Sequence, residues 1–152
     1  MFSYADLALY NRHGRLTAVA EVRNKRGTSG AWAAKLRRNM LAHGEFPHVD
    51  FFLIVTPDRL YVWKGAGDAS AHLQPAYEID AEPIFQPYFE RAGVAPGEVR
   101  GDAFELVAAS WLGDLMRSED HAEQSVNGER LLVASGFLDA VKDGRVEYEV
   151  AT

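Results

Sequence analysis

Asp6 and Glu21 are the side chains of this sequence whose type and spacing best suit metal or acid–base chemistry. Asp6 opens the run Ala5-Asp6-Leu7-Ala8-Leu9-Tyr10, and Glu21 sits in Leu16-Thr17-Ala18-Val19-Ala20-Glu21-Val22-Arg23-Asn24-Lys25. Asn11-Arg12-His13-Gly14-Arg15 between them has the composition of a hairpin turn. If His13-Gly14 is a two-residue loop, Arg12 pairs with Arg15 and Asp6 faces Glu21. A three-residue loop closing on Gly14 sets Asp6 against Ala20 instead. Directly opposed like charges destabilise a sheet, so the facing arrangement calls for a compensating charge. Opposed Cβ atoms lie roughly 4.5–5.5 Å apart, close enough for two carboxylates to share one hard cation. Mg²⁺ suits such a site, because it binds through one or two carboxylates, a carbonyl, water and a substrate phosphate. The Val22 carbonyl is the nearest extra ligand. Arg23 and Lys25 follow on the Glu21 face, where a cation stabilises charge developing on a phosphate.

Other candidates are weaker. His43 and His48, with Glu45 and Asp50 nearby, have donor types for a transition metal, although loop histidines are commonly just solvated. His72 and His121 have no partner pattern. Ser110 and Ser135 fall in helical patterns without a nucleophile elbow. Gly65 and Gly67 lack P-loop spacing. Trp63, Trp111 and Phe137 read as core.

The elements that must position these groups follow from periodicity. Strands are expected over about 3–10 and 16–25, with Leu7, Leu9, Leu16, Ala18, Ala20 and Val22 on one face. Both faces are partly apolar, which predicts a sheet covered on both sides. Gly27-Thr28-Ser29 supplies a break and an N-cap for a helix at about 29–43, with Trp32, Ala33, Leu36 and Met40 inward. Gly44 and Pro47 close that helix. Phe51–Val55 reads as a buried central strand, and Leu60–Trp63 as another after the turn at Thr56-Pro57-Asp58-Arg59. The stretch 65–77 reads as loop. Then come a short helical segment around Pro83-Ile84-Phe85 interrupted by Pro87, and a strong helix from Asp102 to Arg117 with Asp102 and Glu105 as a capping box. A last helix near 129–142 and an edge strand over 145–150 complete the chain.

This predicts an α/β protein: a core over 1–66, a loop at 67–79, and a helical extension over 80–152 packed on the core as one domain. The absence of cysteine excludes disulfides and thiolate metal sites and fits a reducing cytoplasm. No 18-residue apolar run is present, and Met1–Asp6 lacks the basic start of a signal peptide. Net charge is −6, unevenly spread: residues 1–65 hold ten Lys/Arg and five Asp/Glu, and residues 66–152 hold six and seventeen. A basic half beside an acidic half points to a polyanion partner for the first, or to an ordinary solvated surface.

The Asp6 strand, the hairpin, Ala20-Glu21-Val22-Arg23-Asn24-Lys25 and the basic helix resemble the PD-(D/E)XK nuclease superfamily, the restriction-endonuclease-like fold, over roughly residues 3–64. Residues 27–64, from Gly27-Thr28-Ser29 through Ala33-Lys35-Leu36-Arg38-Asn39 to Thr56–Lys64, look like an uncharacterised bacterial branch of it. The resemblance implies a mixed central sheet, Mg²⁺ or Mn²⁺ held by Asp6 and Glu21, and a catalytic cation at position 23. Nucleic acid is then the expected substrate, with Arg26, Lys35, Arg37 and Arg38 as phosphate contacts and a homodimer or partner chain as a further association. Two departures stand out. Position 23 is Arg, which stays protonated and cannot readily serve as a base, and Lys25 is the alternative cation on that face. The superfamily also places a helix ahead of the Asp strand, where only five residues precede Asp6 here. That helix must come from the C-terminal half or another chain, or be absent. The same fold stripped of catalysis, acting as a binding or regulatory module, is the alternative reading.

Overall fold

A computed structural model describes residues 5–42, 48–65, 74–117 and 127–148. Among them the chain forms a mixed six-stranded sheet and five α-helices, an α/β architecture. In chain order these are β1 (Leu7–Tyr10), β2 (Leu16–Val22), α1 (Gly30–Ala42), β3 (Phe51–Val55), β4 (Arg59–Lys64), β5 (Tyr77–Asp80), α2 (Glu82–Ala92), α3 (Gly101–Arg117), α4 (Asn127–Ala134), α5 (Phe137–Val141) and β6 (Arg145–Tyr148). The strand order is β5-β4-β3-β2-β1-β6. Only β2 and β3 run parallel, joined through α1; the other neighbours are antiparallel.

Alternation along the central strands sorts their side chains onto two covered faces. Leu7, Leu9, Ala18, Ala20, Leu53 and Val62 turn toward the C-terminal helices, where Phe85 packs edge-on against Phe104 and Trp111 at 5.3 and 5.4 Å. Val19, Phe52, Ile54, Tyr61 and Trp63 turn toward α1. Ser29 caps α1 by accepting the Trp32 N–H at 3.1 Å, as its position before the helix predicts. Trp63, Trp111 and Phe137 are all core residues.

The hairpin reaches the expected register by a different route. Asn11 N–H bonds the Arg15 carbonyl at 2.9 Å, Gly14 N–H bonds the Asn11 carbonyl at 2.9 Å, and Gly14 has φ 79°. The loop is therefore the three-residue form closing on Gly14, not a two-residue His13-Gly14 turn. Alone it would slide Asp6 opposite Ala20. An irregularity follows, however: Tyr10 pairs with Leu16 but Leu9 with Ala18, leaving Thr17 as one extra residue in β2. The ladder then continues Ala8 with Val19 and Leu7 with Ala20, and its next step sets Asp6 against Glu21.

Several elements depart from expectation. β1 and β2 are shorter than their apolar runs, and β2 ends at Val22, so Arg23 and Lys25 lie past the strand. Tyr77–Asp80 is a strand, not the end of a loop. Its four residues are too few for periodicity to register, and pairing with β4 decides the conformation. Pro87 lies inside α2 without ending it. Asp102 is in the first turn of α3, which starts at Gly101, so it is no N-cap. The single helix expected over 129–142 is two, parted where Gly136 takes φ 86° and the Ser135 hydroxyl accepts the Phe137 N–H at 3.2 Å. Gly44 and Pro47 lie outside the described residues.

Candidate metal centre

The site is built where β1 has ended and β2 has one residue left. Arg23 N–H turns to β3 and bonds the Val55 carbonyl at 2.9 Å. Successive backbone groups alternate sides, so Val22 N–H turns the other way, toward the position β1 would fill. Asp6 Oδ2 accepts that N–H at 2.8 Å. This bond fixes the Asp6 carboxylate beside Glu21. The Val22 carbonyl shares that side of the strand.

Glu21 is 7% exposed. Its carboxyl group is pushed up to about 7 from 4.5, first by burial and next by the Asp6 charge, with a hydrogen bond to Asp6 acting in the same sense. Arg23 opposes the rise: its Nη2 and Nε both reach Glu21 Oε2, at 2.5 and 3.0 Å. The two carboxyl groups thus lie next to each other at the mouth of the sheet, with a half-exposed guanidinium against Glu21. Glu105 of α3 lies close enough to feel the Asp6 charge without joining the pair. Glu105 is half-buried, and its pKa is raised by burial and by the Asp6 charge. Its only signal in the sequence is its place in the α3 pattern, where it reads as a capping partner. The tertiary fold alone brings it toward Asp6.

Among the described residues no three His, Asp or Glu side chains converge as a metal-holding group. The donor set is therefore two carboxylates and a neighbouring backbone carbonyl. That is enough for a hard cation that keeps several waters and takes substrate oxygens, and too few for a closed protein cage.

The basic residues divide. Lys25 is exposed, and its Nζ sits 5.6 Å from the centre of the Trp32 ring. Arg26 pairs with Glu82 at 3.3 Å. Lys35 is exposed and Arg38 half-buried on α1. Arg37 is no phosphate contact: it is 1% exposed, with its guanidinium carbon 5.6 Å from the Trp63 ring centre and 5.9 Å from that of Phe52. The i, i+4 spacing from Ala33 is the sequence signal that it lies on the inner face.

The sequence also missed the struts around the site. Asn24 Nδ2 bonds the Val99 carbonyl at 2.8 Å, tying the segment after β2 to the approach of α3. Asp58 accepts the Gly27 N–H at 3.1 Å, and Thr28 shares a 2.7 Å hydrogen bond with the Tyr61 hydroxyl. The histidine candidates do not assemble. His48 is exposed, Asp50 pairs with Arg15 at 3.3 Å, and His43, Glu45, His72 and His121 lie outside the described residues. Ser110 is an exposed helical residue, and Ser135 is buried, donating to the Leu132 carbonyl at 2.8 Å. No helix among the described residues is long and apolar enough to cross a membrane. No family model, no curated protein and no solved structure matches the chain.

Proposed function

We propose that this chain is a metal-dependent phosphodiesterase of restriction-endonuclease-like fold that hydrolyses DNA or RNA. The observation that carries the reading is the placing of the Asp6 carboxylate, held by the Val22 N–H, next to the buried Glu21 at the open end of a strand pair, with Arg23 against Glu21. Helix α3 contacts β2 and β6 on either side of β1, which sets a helix beside the Asp strand. Asp6, Glu21 and the Val22 carbonyl would hold Mg²⁺ or Mn²⁺. The bound ion supplies Lewis acidity toward a phosphate oxygen and a more acidic water.

The chain's own residues do the rest. Glu21 would hold a cation as the ionised carboxylate, the ion's charge offsetting the burial and the Asp6 charge that otherwise raise its pKa. Arg23 then has a weaker claim on Glu21 Oε2 and turns to the phosphate, where it stabilises charge on the non-bridging oxygens. Lys25, Arg26, Lys35 and Arg38 position the backbone without reading sequence. Water oxygen bonds to phosphorus and releases a proton to solvent as the bond to the leaving alkoxide breaks, and the alkoxide takes a proton from solvent.

The test is a cleavage assay with Mg²⁺ or Mn²⁺ on wild type, Asp6→Ala and Glu21→Ala. Metal-dependent cleavage by wild type alone is the expected result, with each variant at least about 100-fold slower. Equal rates in all three, or none in any, overturn the proposal. One observation favours the binding-module alternative: Arg23 already engages Glu21 through Nε and Nη2, so the guanidinium serves as the counter-ion itself. Calorimetric titration separates the two, because a module of that kind gives no Mg²⁺ heat that depends on Glu21. Cleavage gained only on Arg23→Lys places the chain one substitution from activity.

A further inference from the structure

We propose that β6 is the interface between two copies of this chain, paired antiparallel about a two-fold axis through Val146. This inference rests on the edge of the sheet at β6, which no described strand covers, and not on the carboxylate pair.

β6 bonds β1 on one side and, among the described residues, no strand on the other. Which of its backbone groups face outward follows from the ladder. Val22 N–H turns away from β3, so Ala20 and Ala18 address β1, and their partners Leu7 and Leu9 address β2. Ala8 and Tyr10 therefore address β6, and their partners Glu147 and Arg145 address β1. Val146 and Tyr148 are left with N–H and C=O groups pointing out of the sheet.

An antiparallel neighbour must set outward groups against outward groups. Centred on Val146, the pairing satisfies that rule and puts Arg145 directly opposite Glu147 of the second copy, twice over. Centred one residue further, on Glu147, it opposes like charges, which destabilise. The charges on this edge thus select one register of self-pairing. The exposed Arg145 and Glu147 side chains already meet at 2.9 Å within one copy, so the pairing builds a four-charge cluster of alternating sign.

The apolar side of the edge agrees. Val146 meets Val146 of the second copy, and Tyr148, 47% exposed, is set opposite Gly144 of the second copy. Gly144 lines a groove of about 370 Å³ between α3 and β6, together with Gly113, Arg117, Val146 and Tyr148. The ring of each copy therefore comes to the mouth of the other's groove. The opposite edge of the sheet contrasts with this. β5 reads Tyr77-Glu78-Ile79-Asp80, and the same parity rule sets Glu78 against itself or Asp80, a charge-guarded edge.

Sedimentation equilibrium of the full chain tests the proposal, with circular dichroism to show that each variant is folded. Wild type is expected to rise with concentration from 16.9 kDa toward twice that mass. Arg145→Glu and Glu147→Arg each weaken association at least about tenfold, and mixing the two variants restores it as a heterodimer. Val146→Pro, which removes an outward N–H while leaving the β1 ladder intact, also abolishes it. A wild type that stays at 16.9 kDa up to about 1 mM, a single variant that dimerises as wild type does, or a mixture that fails to associate each overturns the proposal.

Discussion

Glu21 inverts the usual behaviour of a carboxylate in a folded protein. Its folded value of about 7 lies above the ordinary 4.5, so between those pH values the native state keeps a proton that the unfolded chain has released. Stability from this group is fully present below about pH 4.5, declines as pH rises to about 7, and is level beyond. The loss is on the order of 3 kcal/mol, measurable by urea unfolding across pH 4.5–8. Glu21→Gln should flatten the profile. Because a cation and that proton compete for the same oxygens, Mg²⁺ affinity should rise roughly tenfold per pH unit up to about pH 7 in calorimetric titrations. Arg37 makes a second prediction at this scale. Removing a buried guanidinium that spans two aromatic rings leaves a hole, so Arg37→Ala should cost about 2–4 kcal/mol of stability. The same variant should leave nucleic-acid affinity unchanged in the folded protein, whereas Lys35→Ala should weaken it.

Among the elements, the junction of α5 with β6 is the least forgiving. A Cβ placed on Gly144 would lie 1.8 Å from the Tyr10 carbonyl oxygen, and the obstacle is backbone, not a movable side chain. Gly144→Ala must therefore push β6 off β1, at about 3 kcal/mol or more by chemical denaturation. Gly136→Ala is milder, about 1 kcal/mol, because only the φ of 86° resists it. The strands and helices with long apolar patterns were legible in the sequence: Phe51–Val55 as the buried strand, and α3 through Phe104, Ala108, Trp111, Leu112 and Leu115. The strand β5 was not, since its four residues are too few to show a period beside the loop-like stretch before them. The facing of Asp6 and Glu21 was expected from a two-residue loop, whereas the structure reaches it through two local features that cancel. The Gly14 loop shifts the register by one, and the extra Thr17 shifts it back. Turn chemistry sets the first, and burial of both strand faces against packed layers enforces the second.

Across the whole molecule, charge and topology work in opposite directions. The basic first half and the acidic second half are consecutive in sequence, yet β6 and α3 from the acidic half flank the strands of the basic half. Composition alone could not show that Glu105 would come under the influence of Asp6, because separation along the chain hides it. With Arg37 withdrawn into the core, few side chains remain to meet phosphates. The salt dependence of nucleic-acid binding should be correspondingly shallow: a log–log slope of about −2 to −4 by fluorescence anisotropy. A slope near zero would instead mean that binding, where seen, does not run through the backbone phosphates. The Val22 amide, finally, donates to a carboxylate rather than to a neighbouring strand. Its proton is therefore a gauge wired to the site: drawing Asp6 toward a cation lengthens that bond. One resonance in an amide spectrum, and one rate of deuterium uptake, should move with occupancy while the rest of β2 stays silent.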